Sequence, residues 1–372
     1  MSESVHELLK AGKPWEQTSD RVVKMGVVGG GFGSCFHWHE HPNSKVVAVA
    51  DQFSARRNGL MERYQCETAY ETLDEVLAND DVEAVAVFSG APDHAAHVCA
   101  VVEAGEHPFC AVPVCMTLEA AEMIAETKES TGLKYMMAET SCYRWETILA
   151  RRMYEAGIFG ELIYTEGEYY HPLSEQELAD LWFPRGEKSW RYGFPPMQYP
   201  THSSAFLVGV TGERIIKISC VGWSPEEQWC LDNPYGNPYG HEVSMCLTDL
   251  GHSFRCNVSW GVHAFGERAQ WLGTKAALYM PDSAGRPYMI QCEEGTITDV
   301  PDYWELVPEK MRYDTGHGSS HAFLTTEFID AIVEDREPAV NLYEALAMTV
   351  PGIVGHQSAL WEGQQMEVPQ FG

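Results

Sequence analysis

Residues 22–51 constrain the fold of this chain more than any other stretch. An apolar run from Val22 to Val28 has the length and β-branched content of a buried parallel strand. It ends in a glycine-rich turn, and a second apolar run then leads to Asp51, twenty residues after Gly31. The order strand, glycines, helix start, strand and acid predicts a β-α-β unit that binds a dinucleotide.

The glycine-rich turn and Asp51 predict the kind of cofactor. Glycines let the backbone approach a pyrophosphate without Cβ clashes, and we expect a helix to begin there with its N-terminus toward the phosphates. A carboxylate at the tip of the second strand can accept hydrogen bonds from ribose hydroxyls, which favours NAD. Arg56 and Arg57 could reach a 2′-phosphate, so NADP is the less favoured alternative. The third glycine of the motif is replaced by Ser34, beside Gly33. The predicted cofactor-binding residues are Gly29, Gly31, Phe32, Gly33, Ser34, Asp51, Arg56, Ser89, Pro92, His94, Val112 and Pro113.

Composition limits the partners and the compartment. Acidic residues outnumber basic ones 54 to 25, for a formal charge of −29, so neither a nucleic acid nor an anionic membrane is an expected partner. Eleven cysteines include no CxxC pair, which predicts reduced thiols. The polar N-terminus lacks the apolar core of a signal peptide, and no run approaches the ~20 apolar residues of a membrane span. We therefore expect a cytoplasmic protein.

The pattern along the 372 residues predicts two α/β domains after an N-terminal arm at 1–20. In residues 21–141 strands alternate with helices, which predicts a doubly wound parallel sheet. In residues 142–372 several β-rich segments follow one another without helices, which predicts a large, mostly antiparallel open sheet. This second domain is expected to bind substrate, and its helix 342–356 could pack back on the first domain. Because few helices follow the open sheet to cover its outer face, we also expect a homo-oligomer, a dimer or a tetramer.

Three segments are similar to the Gfo/Idh/MocA family of sugar-acting oxidoreductases. They are the glycine loop with Asp51, the segment VFSGAPDHAAHVCAVVEAGEHPFCAVP and the segment GIFGELIYTEGEYYHP. The resemblance implies a Rossmann domain, an α/β domain with an open sheet, and a nicotinamide cofactor bound at their interface. Typical family dehydrogenases carry Glu-Lys-Pro where this chain has Ala111-Val112-Pro113, and Asp where it has Gln198. That lysine is their usual acid/base, and Val112 cannot move a proton.

Short motifs resemble a branch of the same family that lacks this lysine, the NAD-dependent redox-assisted glycosidases. The segment MMAETSCY places Glu139 on their active-site Glu, and EYYHPL places Tyr169 on their active-site Tyr. The run Tyr199-Pro200-Thr201-His202 matches their Tyr-Pro-Thr-His, which carries a catalytic Tyr and His. The resemblance implies glycoside cleavage through transient oxidation of a pyranoside hydroxyl, expected at C3. Two alternatives stay open: a net sugar or polyol dehydrogenase or keto-sugar reductase, and a non-catalytic cofactor-binding protein.

Each catalytic candidate also has a structural interpretation. His202 follows an aromatic loop, so it is expected to be an exposed site residue rather than a satisfied histidine at a helix start. Simple packing is the alternative for Tyr199, Tyr169 and Glu139. His171, His202 and Glu139 could bind zinc, but their spacing does not demand it, and no metal is predicted. An ordinary surface position is the alternative for five other histidines: His37, His39, His41, His94 and His97.

A cationic, aromatic loop lies between the strand with Tyr169 and the segment with Tyr199. Arg185, Lys188 and Arg191 put three cations into seven residues, which favours a clamp for a carboxylate, sulfonate or phosphate on a sugar substrate. The alternative is ordinary loop charge. The predicted substrate-binding residues are Arg185, Lys188, Trp190, Arg191 and Gln198. Three aromatic residues of this loop could face a sugar ring or form a satellite core, namely Trp182, Trp190 and Tyr192.

Overall fold

A computed structural model describes residues 4–129, 131–172, 174, 176, 178–224, 232–263, 266–282 and 284–372, without the side chains of Leu178, Ala179 and Arg185. The chain forms two compact units. The first comprises Lys10–Trp145 and Asp302–Ala345. The second comprises Glu146–Pro301, Leu346–Gly372 and the N-terminal residues up to Leu9.

These units differ from the predicted domain boundaries. The predicted arm is divided between them, and residues 302–345, which the sequence placed in the second domain, belong to the first unit. The physical reason is a helix in this segment that packs on the parallel sheet. Its Phe328 ring lies 5.2 Å from the ring of Phe109 on a sheet strand. A segment distant in sequence therefore completes the core of the first unit.

The first unit is built on a six-stranded sheet in which all pairs are parallel, in the order β3-β2-β1-β4-β5-β6. Its strands are β1 (Val23–Val28), β2 (Ser44–Ala50), β3 (Ala69–Tyr70), β4 (Ala84–Val87), β5 (His107–Cys110) and β6 (Met136–Met137). The doubly wound parallel sheet predicted from the sequence is confirmed. In this order the ligand crevice lies at the carboxyl ends of β1 and β4.

The described α-helices are α1 (Val5–Leu8), α2 (Ser54–Tyr64), α3 (Leu73–Leu77), α4 (His94–Glu103), α5 (Leu118–Glu129), α6 (Trp145–Glu155), α7 (Thr201–Thr211), α8 (Ser320–Val333) and α9 (Leu342–Leu360). The cap of α3 is a capping box: Thr72 Oγ1 accepts from the Glu75 N–H, and Glu75 Oε2 accepts from the Thr72 N–H. Within the described residues, no helix is both long enough and apolar enough to cross a membrane.

The second unit is built on a nine-stranded sheet in the order β14-β13-β12-β11-β7-β10-β9-β8-β15. Its strands are β7 (Leu162–His171), β8 (Ile215–Trp223), β9 (His241–Thr248), β10 (Ser253–Trp260), β11 (Gly266–Gly273), β12 (Ala277–Tyr279), β13 (Met289–Cys292), β14 (Gly295–Ile297) and β15 (Met366–Glu367). The pair β7–β10 is parallel and the other pairs are antiparallel. The predicted, mostly antiparallel sheet is confirmed.

Alternation along β7 separates the two faces of this sheet. Gly167 faces α7, where it lies against the carbonyl of Ser203. Glu166 and Glu168 point to the opposite face. There Arg268 pairs with both, its Nη2 3.0 Å from Glu166 Oε1 and its Nε 2.5 Å from Glu168 Oε1. Tyr169 shares the face of Gly167, so the strand delivers it to the helix side of the sheet.

Candidate active site

The glycine turn after β1 is shaped by close backbone packing. Gly29 has a φ of +102°, and a Cβ there would lie 2.5 Å from the carbonyl oxygen of Phe88. A Cβ at Gly30 would lie 2.9 Å from Arg56 Cβ. A Cβ at Gly31 would meet nothing within 4 Å, so open space lies beside the loop at this position. The sequence reasoning named Gly29 and Gly31 but missed Gly30, although it stands between them.

Asp51 is tied to the glycine turn. Its Oδ2 accepts a hydrogen bond from the Gly30 N–H at 2.7 Å, and its Oδ1 accepts one from the Phe53 N–H at 2.7 Å. The side chain is 8% exposed. Each carboxylate oxygen has a second lone pair, so ribose hydroxyls can still donate to it. Asp51 therefore both shapes the turn and stays available to a nucleotide.

The helix expected after the glycines is absent, and this prediction is wrong. Residues Phe32–Cys35 form one 3₁₀ turn, stabilised by the Ser34 hydroxyl, which donates to the Gly31 carbonyl at 2.9 Å. A turn of this length has almost no macrodipole, so phosphate binding depends on the backbone N–H groups of the loop itself. The segment contains Phe, Gly, Ser and Cys, none of which is among the strong helix formers.

Two histidines that the sequence reasoning missed lie against Phe32. The rings of His317 and His321 lie 5.3 and 5.4 Å from the Phe32 ring. His321 is 1% exposed, and burial lowers its pKa to about 3, so it is neutral at physiological pH. No sequence signal marked these residues, because they lie nearly 300 positions from the glycine turn.

The histidines predicted as surface residues are largely buried. His37 and His41 are 0% and 2% exposed, and His37 Nδ1 lies 2.7 Å from Glu40 Oε2. Desolvation lowers the pKa of His37, although Glu40 opposes the shift. Among the described residues, no group of three histidine, cysteine or acidic side chains could hold a metal ion.

His94 connects the two loops that follow β4 and β5. Its Nδ1 lies 2.6 Å from the Pro113 carbonyl, and its Nε2 lies 3.0 Å from the Ser89 carbonyl. It is 1% exposed, so the interpretation as a helix-surface histidine is wrong, and desolvation lowers its pKa. The Ser89 hydroxyl pairs with His97 Nδ1 at 2.8 Å. Pro92 lies in a 3₁₀ turn, Ala91–Asp93, just before α4, and the Val112–Pro113 peptide is cis.

These residues fit a dinucleotide. The open space at Gly31, the carboxylate of Asp51 and the loop of Ser89 lie at the carboxyl ends of adjacent strands, which is where such ligands bind in this sheet. Arg56 stacks on Phe53 with its guanidinium 5.3 Å from the ring. Arg57 donates a hydrogen bond to the Asp51 carbonyl at 2.7 Å and forms an ion pair with Glu71. Its guanidinium is therefore less available to bind a 2′-phosphate.

In the second unit, three of the predicted catalytic residues come together. The rings of Tyr169 and His202 lie 4.7 Å apart, Tyr199 and His202 5.2 Å, and Tyr169 and Tyr199 5.9 Å. Tyr169 comes from β7, and His202 is the second residue of α7. The absence of a side chain at Gly167 lets the strand contact the Ser203 carbonyl directly. This close approach brings the three rings together.

His202 is 5% exposed and Tyr199 is 6% exposed, so the expected exposed position of His202 is wrong. The aromatic rings around it are the physical reason. Trp260, at the end of β10, lies 5.9 Å from Tyr169 and 5.8 Å from Tyr199, and its Nε1–H donates to the Phe194 carbonyl at 2.9 Å. Sequence reasoning missed Trp260, which only the parallel pairing of β10 with β7 brings to the cluster.

A buried carboxylate holds the segment that carries Tyr199 and His202. Glu242 is 0% exposed, and its Oε2 accepts from the Met197 N–H at 2.7 Å. Its Oε1 lies 2.8 Å from Nδ1 of His356 in α9. The Glu242 side chain therefore connects its own strand to α9 and to the loop at Met197, two residues before Tyr199.

Two cations of the loop, Lys188 and Arg191, contact aromatic rings. Lys188 Nζ lies over the Tyr192 ring at 4.0 Å and 3.4 Å from the Asp232 carbonyl. The Arg191 guanidinium lies 4.3 Å from the Trp190 ring and 5.5 Å from the Tyr199 ring. The predicted Arg185 side chain, with residues 173, 175 and 177 of the same loop, lies outside the described part of the chain. Trp182 and Tyr192 are 3% and 2% exposed, as in a satellite core.

Glu139, the fourth catalytic candidate, belongs to the first unit. It follows β6, is 0% exposed, and its Oε1 accepts from the Ser141 N–H at 2.8 Å. The structure thus groups Tyr169, Tyr199 and His202 in one unit and gives Glu139 a local backbone contact in the other.

Comparison with known proteins gives a consistent family assignment. Residues 23–139 match a family described as an oxidoreductase family with an NAD-binding Rossmann fold, GFO_IDH_MocA. A glycosyl hydrolase family 109 protein of Shewanella putrefaciens is 32% identical over 334 residues, which covers 80% of this chain and 71% of that protein. Another protein of that name, from Shewanella amazonensis, is 30% identical over 195 residues, spanning 49% of this chain and 42% of its own length.

Solved structures show the same fold. A levoglucosan dehydrogenase in complex with NADH and levoglucosan has a TM-score of 0.78 and 18% identity, covering 94% of this chain and all of that one. At this identity the likeness establishes the fold alone.

Proposed function

Because the chain belongs to the Gfo/Idh/MocA oxidoreductase family and binds NAD, we propose that it cleaves a glycosidic bond by transiently oxidising a ring hydroxyl of a pyranoside, expected at C3. The cluster of Tyr169, Tyr199 and His202 carries the proposal, since it offers several proton-transfer groups within 4.7 to 5.9 Å of one another. The glycosyl hydrolase family 109 name of the Shewanella relatives supports it.

The glycine turn, Asp51 and the Ser89 loop are the residues that would hold the cofactor. Bound NAD supplies a hydride acceptor and donor, so that a ring hydroxyl can become a ketone and later return to a hydroxyl. Val112 lies in the position of the usual lysine and offers no proton-transfer group. The proton chemistry therefore falls to other side chains.

His202 is the proposed base for the hydroxyl proton. A neutral imidazole accepts the proton as the C–O bond becomes a carbonyl, and returns it when the carbonyl is reduced. The carbonyl acidifies the adjacent C2–H, and Tyr169 or Tyr199 in its phenolate form removes that proton. The C2–H electron pair then forms the C1–C2 double bond, and the C1–O bond breaks with its electrons on the leaving oxygen. Water adds hydroxide at C1 and a proton at C2, and reduction of the C3 carbonyl back to the hydroxyl then completes hydrolysis with no net oxidation.

Reaction in heavy water tests this sequence of proton transfers. We expect deuterium at C2 of the released sugar and no accumulation of NADH. His202→Ala should lower turnover by about 10²–10⁴-fold while NAD binding persists. The matched control is His263→Ala, the same change at an exposed histidine of the second unit, which should leave turnover unchanged.

Other outcomes separate the alternatives. Stoichiometric NADH with an intact glycosidic bond would establish a net dehydrogenase. Bound NAD with no turnover on any glycoside or polyol would establish a non-catalytic cofactor-binding protein. Normal turnover in His202→Ala would exclude the role given to His202.

We further propose a homo-oligomer formed through the outer face of the nine-stranded sheet. Val221 and Trp223 on β8 and Met245 on β9 are 60%, 66% and 50% exposed. Exposed apolar side chains grouped in this way favour burial against another subunit. Sedimentation equilibrium at micromolar concentration should show species heavier than 41.7 kDa, and a single species of that mass would contradict the proposal.

We also propose a cytoplasmic location. The ten cysteines within the described residues are free thiols, as is typical of a reducing compartment.

A further inference from the structure

We propose that the substrate carries a carboxylate group, and that Arg191 binds it beside the catalytic cluster. The inference rests on the proposed function of the same site, because Tyr199 is the shared neighbour. It goes further by assigning an acidic sugar as the substrate class and Arg191 as the residue that selects it.

The Arg191 guanidinium lies over two aromatic rings and pairs with no carboxylate of the described residues. Its central carbon lies 4.3 Å from the Trp190 ring and 5.5 Å from the Tyr199 ring. Across the described residues, no carboxylate lies within 4.0 Å of it. Aromatic rings hold the charge but accept no conventional N–H···O hydrogen bond, so the N–H donors of the guanidinium remain available. A half-buried guanidinium with in-plane donors to spare favours a bound anion.

The backbone around Arg191 is fixed before any ligand binds. The Arg191 N–H donates to Ser189 Oγ at 3.1 Å, and the Tyr235 hydroxyl donates to the Trp190 carbonyl. Asn237, 1% exposed, donates to the carbonyls of Gly193 and of Tyr239. Such preorganisation lowers the entropic cost of binding.

Lys188 does not share this role, because Asp232 and the Tyr192 ring already engage its ammonium group. Gln198 supplies a second polar contact. Its Oε1 is buried and has no hydrogen-bond partner within the described part of the chain. An amide oxygen in that state can accept from a sugar hydroxyl. One cation and one acceptor therefore precede Tyr199 in the same loop.

The geometry of a carboxylate matches that of the Arg191 guanidinium. Guanidinium and carboxylate are both planar and form two parallel hydrogen bonds. The net charge of −29 opposes anion binding at long range, but salt screens charges beyond ~8 Å at physiological ionic strength. Selection therefore falls to the local cation.

Calorimetry with matched sugar pairs tests the proposal on the NAD-loaded, full-length protein. The probes are D-glucuronate against D-glucose, D-galacturonate against D-galactose, and D-mannuronate against D-mannose. We expect at least one acid to bind about 10- to 100-fold more tightly than its neutral partner. Arg191→Gln should remove that preference and leave the neutral sugar within about twofold.

Two further variants keep the test decisive. Arg191→Lys retains the positive charge but loses the planar guanidinium donors that bind both carboxylate oxygens. It should therefore keep only part of the preference for the acidic sugar. Lys217→Gln removes a cation paired with Glu367 elsewhere in the same unit and should change nothing. Equal affinity for acid and neutral sugars in all three pairs would overturn the proposal, as would equal losses for both sugars in Arg191→Gln.

The result is separable from the proposed function. Acid preference without deuterium at C2 would refute the glycosidase chemistry and leave the carboxylate site standing. Deuterium incorporation with neutral glycosides and no acid preference would refute the carboxylate site and leave the glycosidase chemistry standing.

Discussion

Removing the carboxylate of Glu242 should destabilise the second unit and also slow the proposed reaction. In the native protein this side chain is 0% exposed and accepts from the Met197 N–H at 2.7 Å, with His356 Nδ1 at 2.8 Å. Glu242→Ala leaves both groups buried without that partner. Each unpaired buried donor costs about 1–3 kcal/mol, so the two cost about 2–6 kcal/mol before any cavity is counted. That is a large part of the ~5–15 kcal/mol that stabilises a typical domain.

The effect on turnover follows from the position of Met197. Its N–H anchors the chain two residues before Tyr199, so its release lets the segment up to His202 shift relative to Tyr169. We expect kcat to fall while NAD affinity, which depends on the other unit, stays within about twofold. Glu242→Gln preserves the shape and can keep both contacts if His356 changes tautomer, so it should restore most of the stability.

The chain offers a matched control in Glu213. This carboxylate is 2% exposed and its Oε1 lies 2.9 Å from His252 Nδ1, so it forms a second buried carboxylate–histidine pair in the same unit. Urea unfolding followed by far-ultraviolet circular dichroism would measure stability, and steady-state kinetics would measure kcat. Glu213→Ala should destabilise without a comparable loss of kcat. A wild-type urea midpoint for Glu242→Ala, or equal kcat losses in the two alanine variants, would refute the reasoning.

Three further variants test other contacts. Asp51→Ala should reduce the preference for NAD over NADP, expected at about tenfold or more in the wild type. It should also weaken both nucleotides because Gly30 loses an acceptor, and calorimetry that finds an unchanged ratio would contradict this. Gly167→Ala places a Cβ against the Ser203 carbonyl, so it should cost about 1–3 kcal/mol in thermal unfolding and reduce turnover. His321 is held neutral, with a pKa of about 3 against 6.5, so stability should fall as pH drops below 6.5, by about 2 kcal/mol at pH 5. His321→Phe should lose less stability than the wild type between pH 7 and 5, and equal losses would argue against burial of a neutral imidazole.

The sequence was most informative where function depends on local order. The strand before the glycine turn and Asp51 after the second strand lie within thirty residues, and the parallel sheet they predict is confirmed. The predicted helix between them was wrong because the prediction followed the general motif, whereas Gly33 and its neighbours have low helix propensity. The conformation of this segment therefore follows from its own residues rather than from the general motif.

Contacts between distant segments were beyond the reach of pattern reasoning. The burial of His37 involves its backbone N–H, which donates at 3.3 Å to Thr325, 288 positions away. In the sequence Glu242 looks like an ordinary strand residue, and its contacts with Met197 and with His356 of α9 exist only in the folded structure. Such residues carry no motif, because their role is created by the tertiary packing.

Val112 and the ring cluster lead to the same mechanistic conclusion. A net dehydrogenase needs one proton transfer, at the oxidised hydroxyl, and the usual lysine alone can supply it. Elimination needs a second transfer, from C2 to a base that lies close to the first base. The second unit brings His202 within 4.7 and 5.2 Å of two phenol rings, so the proposed hydroxyl base and the proposed carbon base lie side by side. The loss of a lysine at 112 together with the presence of this pair favours cleavage over simple oxidation.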